Sequence, residues 1–234
     1  MSERSFYIRL QEETRPERAE FSAIPLIKRA LAGDVTIDLY LRYLAEAYHH
    51  VRHTCPLMGA ALSRCGPKDY RYRDALLDYI QEEQGHEKWI LNDIAALGGD
   101  AAAVEAGDGG PATRIMVACA YNAIDRGNPY SLLGMVHVLE GMSVDFATQA
   151  AEGIAMAAVK AGFPVSVENN RGFSYLSSHG SLDQDHVLFF KNLVNALPSK
   201  TEELAVIDSA KLMYRLFGDI FRDLDVETLC YELA

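Results

Sequence analysis

At 234 residues the chain is long enough to bury a core without disulfides or a structural metal. Its formal net charge of −11 leaves no basic stripe to attract a phosphate backbone, so nucleic acid is not an expected partner. No apolar signal region follows Met1-Ser2-Glu3-Arg4 and no run approaches the roughly 20 apolar residues that span a bilayer, so a cytoplasmic protein without a membrane partner is expected.

Helical apolar periodicity recurs almost everywhere, whereas alternating strand patterns and Asn-Gly hairpin signals are scarce, and an all-α protein is expected. A short helix over Ser5 to Glu13 precedes one from about Glu20 to Leu31, in which Pro25 is tolerated only as a kink or an early-turn residue. Ala32-Gly33-Asp34 ends it. Thr36 opens an amphipathic helix through Leu39, Tyr40, Tyr43, Leu44, Ala47, Tyr48 and Val51, continuing past a Pro56 kink toward Arg64. The next spans about Tyr70 to Leu97, stopped by Gly98-Gly99-Asp100. Ala101 to Gly110 is a small, polar connection, and Pro111 opens a helix that ends near Gly127-Asn128-Pro129. A long helix from Tyr130 to Ala161 is closed by Gly162-Phe163-Pro164, and Val165 to Gly172 reads as loop. Helices from about Phe173 to Leu197 and Thr201 to Leu224 complete a single bundle of roughly seven or eight helices. Cys55, Cys65, Cys119 and Cys230 lie far apart without CxxC spacing and read as core thiols in a reducing compartment.

The chemistry-bearing pattern lies on three of these segments. His179, Asp183 and His186 stand at i, i+4 and i+7, one face of a helix, and two imidazoles with a carboxylate suit a divalent transition metal, iron above all. Glu83-x-x-His86 is an i, i+3 pair, and Asp183-x-x-His186 is a second. Glu140 falls in the apolar stretch Met135 to Met142, where an unpaired carboxylate is costly to bury and a metal removes the cost.

Each member also has a plain structural reading. Glu82, Glu83 and Glu87 make an acidic run of the kind that coats a solvated face, Glu140 has His137 at i−3 to neutralise it, and His179 and His186 fit an ordinary polar face. His49, His50 and His53 cluster near Glu46, but Arg52 among them points to a wetter face, and they read as groups behind the ligands, facing a substrate or on the surface, more than as ligands. Tyr40, Tyr43, Tyr48 and Trp89 fit a core stripe.

Taken in order, Glu82-Glu83-Gln84-Gly85-His86, the lone Glu140 and the His-x3-Asp-x2-His of His179, Asp183 and His186 resemble the haem-oxygenase-like di-iron oxidases and oxygenases. That group is close in fold to the TenA and PqqC proteins and includes the CADD-type p-aminobenzoate synthases and the fatty-acid-decarboxylating UndA. The resemblance covers most of the chain and implies one haem-oxygenase-like helical domain over residues 1–234, with a homodimer as the family's habit. It further implies two Fe(II) ions held by Glu83, His86, Glu140, His179, Asp183 and His186, with Glu82 an alternative to Glu83. O2 is then the co-substrate, a small amine, amino acid or fatty acid the substrate, and an external reductant a partner. His137 and Tyr175 are placed to orient ligands or relay a proton. Where CADD-type proteins carry the tyrosine they consume, this chain has Ile27, and no Cys and Glu pairing of a TenA thiaminase is evident.

Two other function classes fit the same residues. A ferritin-like metal-buffering bundle would draw its first-helix carboxylate from Glu46, and a metal-independent TenA-like or PqqC-like protein would turn the histidines toward a heterocyclic metabolite.

Overall fold

The computed structural model describes residues 5–160, 162–163, 165 and 171–232, with all their side chains except those of residues 145, 179–186 and 227–232. The described residues form twelve α-helices and one 3-10 turn. In order these are α1 (Phe6–Glu13), α2 (Arg15–Ser22), α3 (Pro25–Leu31), α4 (Ile37–Val51), α5 (Thr54–Ser63) and α6 (Tyr70–Glu83). They continue with α7 (His86–Ala96), α8 (Ala101–Ala106), α9 (Pro111–Arg126), α10 (Leu132–Lys160), α11 (Ser174–Asn195) and α12 (Lys200–Glu232).

The excess over seven or eight comes from breaks inside three of the expected helices and from one additional short helix. Pro25 is the first residue of α3, where its missing N–H costs nothing, and the backbone turns at Ala23-Ile24 instead of kinking. The chain likewise breaks at Arg52-His53, which leaves Pro56 in the first turn of α5. Between α6 and α7 an extended Gln84 is followed by Gly85 at φ 97°, a left-handed conformation that side chains with a Cβ disfavour. A six-residue helix, α8, replaces part of the expected connection after Gly99.

The long helix α10 packs against both α11 and α12, and the others surround these three. Residues 132–138, the first two turns of α10, are buried on every side, as a helical stretch whose one polar side chain is His137 must be. The close crossing of α10 and α12 requires Gly134: a Cβ there would lie 2.5 Å from the Val206 carbonyl oxygen. One continuous core results, with Phe21 stacked on Phe217 at 5.4 Å between ring centres and Tyr40 on Phe173 at 5.2 Å. Cys55, Cys65 and Cys119 are free and half-buried at the margin of this core, not inside it, and the Cys230 side chain lies outside the described residues. Among the described residues no helix is long and apolar enough to cross a membrane.

Candidate functional site

Two carboxylates from different helices line one internal cavity of about 190 Å³. Glu83 is the last residue of α6, and Glu140 lies in α10 directly after its fully buried turns. Besides these two, the polar groups in the cavity wall among the described residues are Tyr40, Tyr43, His50, Thr54, Ser143 and Tyr175. The remaining wall is apolar, built mainly by α3, α4, α10 and α12, and Ile27 is part of it.

Glu83 and His86 pair as their spacing suggested, but not by the expected route. A continuous helix would stack them over one turn, whereas here Gly85 ends α6 and starts α7, and the tight turn brings Oε2 of Glu83 to 3.0 Å from Nδ1 of His86. Both side chains are nearly enclosed, at 11% and 7% exposure. The His86 ring stacks on the indole of Trp89, with centroids 4.0 Å apart and planes 23° from parallel, which fixes the imidazole from its far side.

Phenols surround the acidic groups. Burial drives the Tyr79 hydroxyl far above its ordinary range, and the fields of Glu140, Glu83 and Glu82 with a hydrogen bond to Glu140 push it further. Tyr79 therefore remains a neutral donor beside the Glu140 carboxylate. Burial pushes the Tyr43 hydroxyl up to about 12, tempered by the hydrogen bond it accepts from Tyr175. The Tyr175 hydroxyl is raised by burial, then by Tyr43 and by the negative charge of Glu83. Tyr40, raised mostly by burial, completes the group.

The positioning of Tyr175 traces to a residue that sequence reasoning missed. Asp93 of α7, only 1% exposed, accepts the Ser174 N–H at 2.9 Å, the Ser174 hydroxyl at 2.7 Å and the Tyr175 N–H at 2.8 Å. Its carboxylate caps the N-terminus of α11, where orphan donors and the helix dipole favour negative charge. Only the last turn of an otherwise apolar α7 face hinted at it. The cap fixes where α11 begins, and α11 runs without interruption through His179, Asp183 and His186. The side chains of those three lie outside the described residues.

The other sequence candidates fall elsewhere. His137 packs between Phe190 and Tyr214, away from the cavity wall, and burial together with Arg18 lowers its pKa to about 4. Glu46 caps α9: the Gly110 N–H donates to both of its oxygens at 3.0 Å and the Thr113 hydroxyl to one of them. It does not line the cavity. His49 is buried beside that junction, and His53 approaches the Tyr121 hydroxyl at 3.2 Å. His50 is not on a wetter face as Arg52 suggested; it is 3% exposed and lines the cavity, packed edge-on against Phe217. The signal was present, because His50 stands seven residues after Tyr43 and so continues the same helical stripe.

Among the described residues no group of three or more His, Cys, Asp and Glu side chains is arranged to hold a metal ion. The donors that are described nevertheless have the right chemistry for iron: carboxylate oxygen and imidazole nitrogen, nearly dry, at the edge of an apolar cavity. Carboxylates in such surroundings favour a cation.

Residues 41–218 match the family described as iron-containing redox enzyme. Among solved structures, a domain of unknown function with a heme oxygenase-like fold from Shewanella denitrificans is similar, with 21% identity, a TM-score of 0.84, and 99% of this chain and 96% of that one covered. A TenA homolog from Pseudomonas syringae pathovar tomato is 13% identical at a TM-score of 0.75, over 94% of this chain and 92% of that one. Heme oxygenase from Leptospira interrogans is 17% identical at a TM-score of 0.71, over 94% and 100%. No curated protein matches. At these identities the structures establish a haem-oxygenase-like and TenA-like fold.

Proposed function

Because the chain belongs to the iron-containing redox enzyme family, we propose that it is a non-haem di-iron oxidase or oxygenase that uses O2 to oxidise a small organic substrate. The observation that carries the reading is the meeting of Glu83 and Glu140, from separate helices, in one apolar cavity, with His86 against Glu83. Glu83, His86 and Glu140, with His179, Asp183 and His186 on α11, would hold the metal. When bound, iron supplies open coordination positions and the electrons that O2 activation needs.

The chain's own groups divide the remaining work. The apolar wall excludes water and holds substrate, while Tyr79 donates to Glu140 and fixes its carboxylate. Tyr175, in contact with Tyr43 and facing Glu83, stays protonated and is placed to hold a proton beside the carboxylates. With Glu46 committed to α9, a ferritin-like site lacks its first-helix carboxylate.

Metal analysis of protein from iron-supplemented cells, followed by anaerobic Fe(II) loading and mixing with O2, tests the proposal. About two irons per chain and a transient visible absorption that Glu140→Gln abolishes are expected. Protein that takes up no iron, or that mixes with O2 without any absorbance change, would overturn it.

A further inference from the structure

His86 and Trp89 stand at i and i+3 on α7, so the helix itself holds one ring over the other. Their centroids are 4.0 Å apart and their planes 23° from parallel, which is direct contact between two conjugated rings. The two side chains differ in where they sit. His86 is 7% exposed and pairs with Glu83, whereas the indole is half-buried and is not part of the cavity wall. One ring of the stack therefore belongs to the candidate site and the other reaches solvent. The backbone beneath them is held in place, because the Trp89 carbonyl accepts the Ser174 hydroxyl at 3.4 Å and Asp93, one turn on, caps α11.

The other oxidisable rings near the carboxylates are phenols, and a phenol gives up an electron readily only when its proton has somewhere to go. Tyr40, Tyr43 and Tyr175 are walled in, their hydroxyls raised mostly by burial, and the Tyr175 proton is already held in its bond to Tyr43. An indole can lose an electron and keep its N–H. The positive charge it then carries is favoured by Glu83, whose carboxylate lies 3.0 Å from the same imidazole. Tyr79, which donates to Glu140, is the phenol best placed to compete.

We propose that Trp89 is the electron port of the site, passing single electrons from a one-electron donor in solvent, across the face of His86, to the metal that Glu83 and His86 would hold. The indole first loses one electron inward, and the donor then returns one electron to the indole. One electron has moved, the donor is left in its one-electron-oxidised form, and no bond has been made or broken. The inference rests on the iron reading above for the centre that accepts the electron, and goes beyond it in giving the reductant an entrance apart from the cavity that holds substrate.

The test uses the full-length protein with ring-deuterated tryptophan, loaded with Fe(II) under nitrogen and mixed with O2 in the absence of substrate. Samples frozen during the reaction should carry an organic radical whose electron paramagnetic resonance spectrum narrows with the label. With a single tryptophan in the chain, that narrowing assigns the radical to Trp89. Tetramethyl-p-phenylenediamine, a neutral one-electron donor that turns blue when oxidised, should abolish the radical and yield the blue product. Trp89→Phe keeps a flat ring against His86 but is much harder to oxidise; compared at equal iron loading, it should lose the radical and most of the dye oxidation. Thermal melting establishes that the variant is folded, and the labelled wild type carries the test if it is not. A radical insensitive to the label, as Tyr79 would give, or dye oxidised by folded Trp89→Phe as fast as by wild type would overturn the assignment. Transient absorbance with O2 but no tryptophan radical sinks this inference alone, whereas protein that takes up no iron sinks the di-iron reading and this one with it.

Discussion

Oε2 of Glu83 lies 3.0 Å from Nδ1 of His86 because Gly85, between them in the chain, adopts φ 97°. A Cβ at Gly85 would meet nothing within 4 Å, so a substitution there tests the backbone alone. Gly85→Ala should cost about 1–2 kcal/mol of stability in urea unfolding and weaken binding of Co(II), used as a spectroscopic stand-in for Fe(II). Asn tolerates the left-handed region better than Ala does, so Gly85→Asn should recover part of both losses. Equal behaviour of the two variants would show that the turn is not what pairs the side chains.

Asp93 makes its three hydrogen bonds in a nearly dry environment, so Asp93→Ala strands the Ser174 and Tyr175 N–H groups at the start of α11 and leaves the Ser174 hydroxyl only the Trp89 carbonyl at 3.4 Å. The expected cost is about 3 kcal/mol, above that of an exposed helix cap. The loss should be local first. Amide hydrogen exchange should accelerate over Ser174–Asn195 before it changes in α10, and metal affinity should fall because α11 carries half of the proposed donors. Unchanged exchange in α11 would remove Asp93 from this role.

His137 gives the stability of the fold a pH dependence of definite sign. Its folded pKa is about 4, set by burial and then by Arg18, against about 6.5 when unfolded, so the unfolded chain binds the proton first. Stability is therefore whole above about pH 6.5, falls as pH drops toward 4, and loses nothing further from this group below that. The span corresponds to about 3 kcal/mol, and buried His49, lowered by burial and then by Arg52, pulls in the same direction. His137→Phe should flatten the denaturant midpoint between pH 7 and pH 5 relative to wild type. A midpoint that falls equally in both proteins would place the effect elsewhere.

What the sequence carried and what it withheld separate along physical lines. Apolar periodicity is a local property, and it located nearly every helix that forms the core; Thr36 caps α4 through the hydrogen bond its hydroxyl accepts from Leu39. Breaks were missed where a helix-compatible pattern persists across a residue that prefers another conformation, as at Gly85 and before Pro25. That Glu140 faces the interior was legible because a carboxylate in an apolar stretch is expensive without a partner, and that Glu83 meets His86 was legible from their spacing. Asp93 and Tyr79 were not singled out, because their roles depend on which helices meet: Asp93 is a cap only in the presence of α11, and Tyr79 a donor only beside Glu140.

Gly134 offers a test of the packing that places Glu140. Its hypothetical Cβ would approach the Val206 carbonyl oxygen at 2.5 Å and the Ala210 nitrogen at 2.6 Å, and both are backbone atoms that cannot rotate away. Gly134→Ala must therefore separate α10 from α12, at about 1–3 kcal/mol or more, even though Ala is the better helix former. A gain in melting temperature, which helix propensity alone would give, is the outcome that contradicts this geometry.

Trp89 is the chain's single tryptophan, and its indole stacks on His86 at 4.0 Å, so its emission reports on one imidazole. A paramagnetic ion bound by His86 would sit within a few ångströms of the indole and quench it. A metal bound elsewhere, for example by the exposed acidic residues, would not. Titrating metal-free protein with Co(II) should lower the emission to a plateau, with the break in the curve giving the stoichiometry. The quench should vanish in His86→Ala and weaken in Glu83→Gln, which keeps its shape but loses the charge. Emission that stays constant while equilibrium dialysis records bound metal would mean that His86 is not a ligand, and the pairing of Glu83 with His86 would then stand as a structural contact.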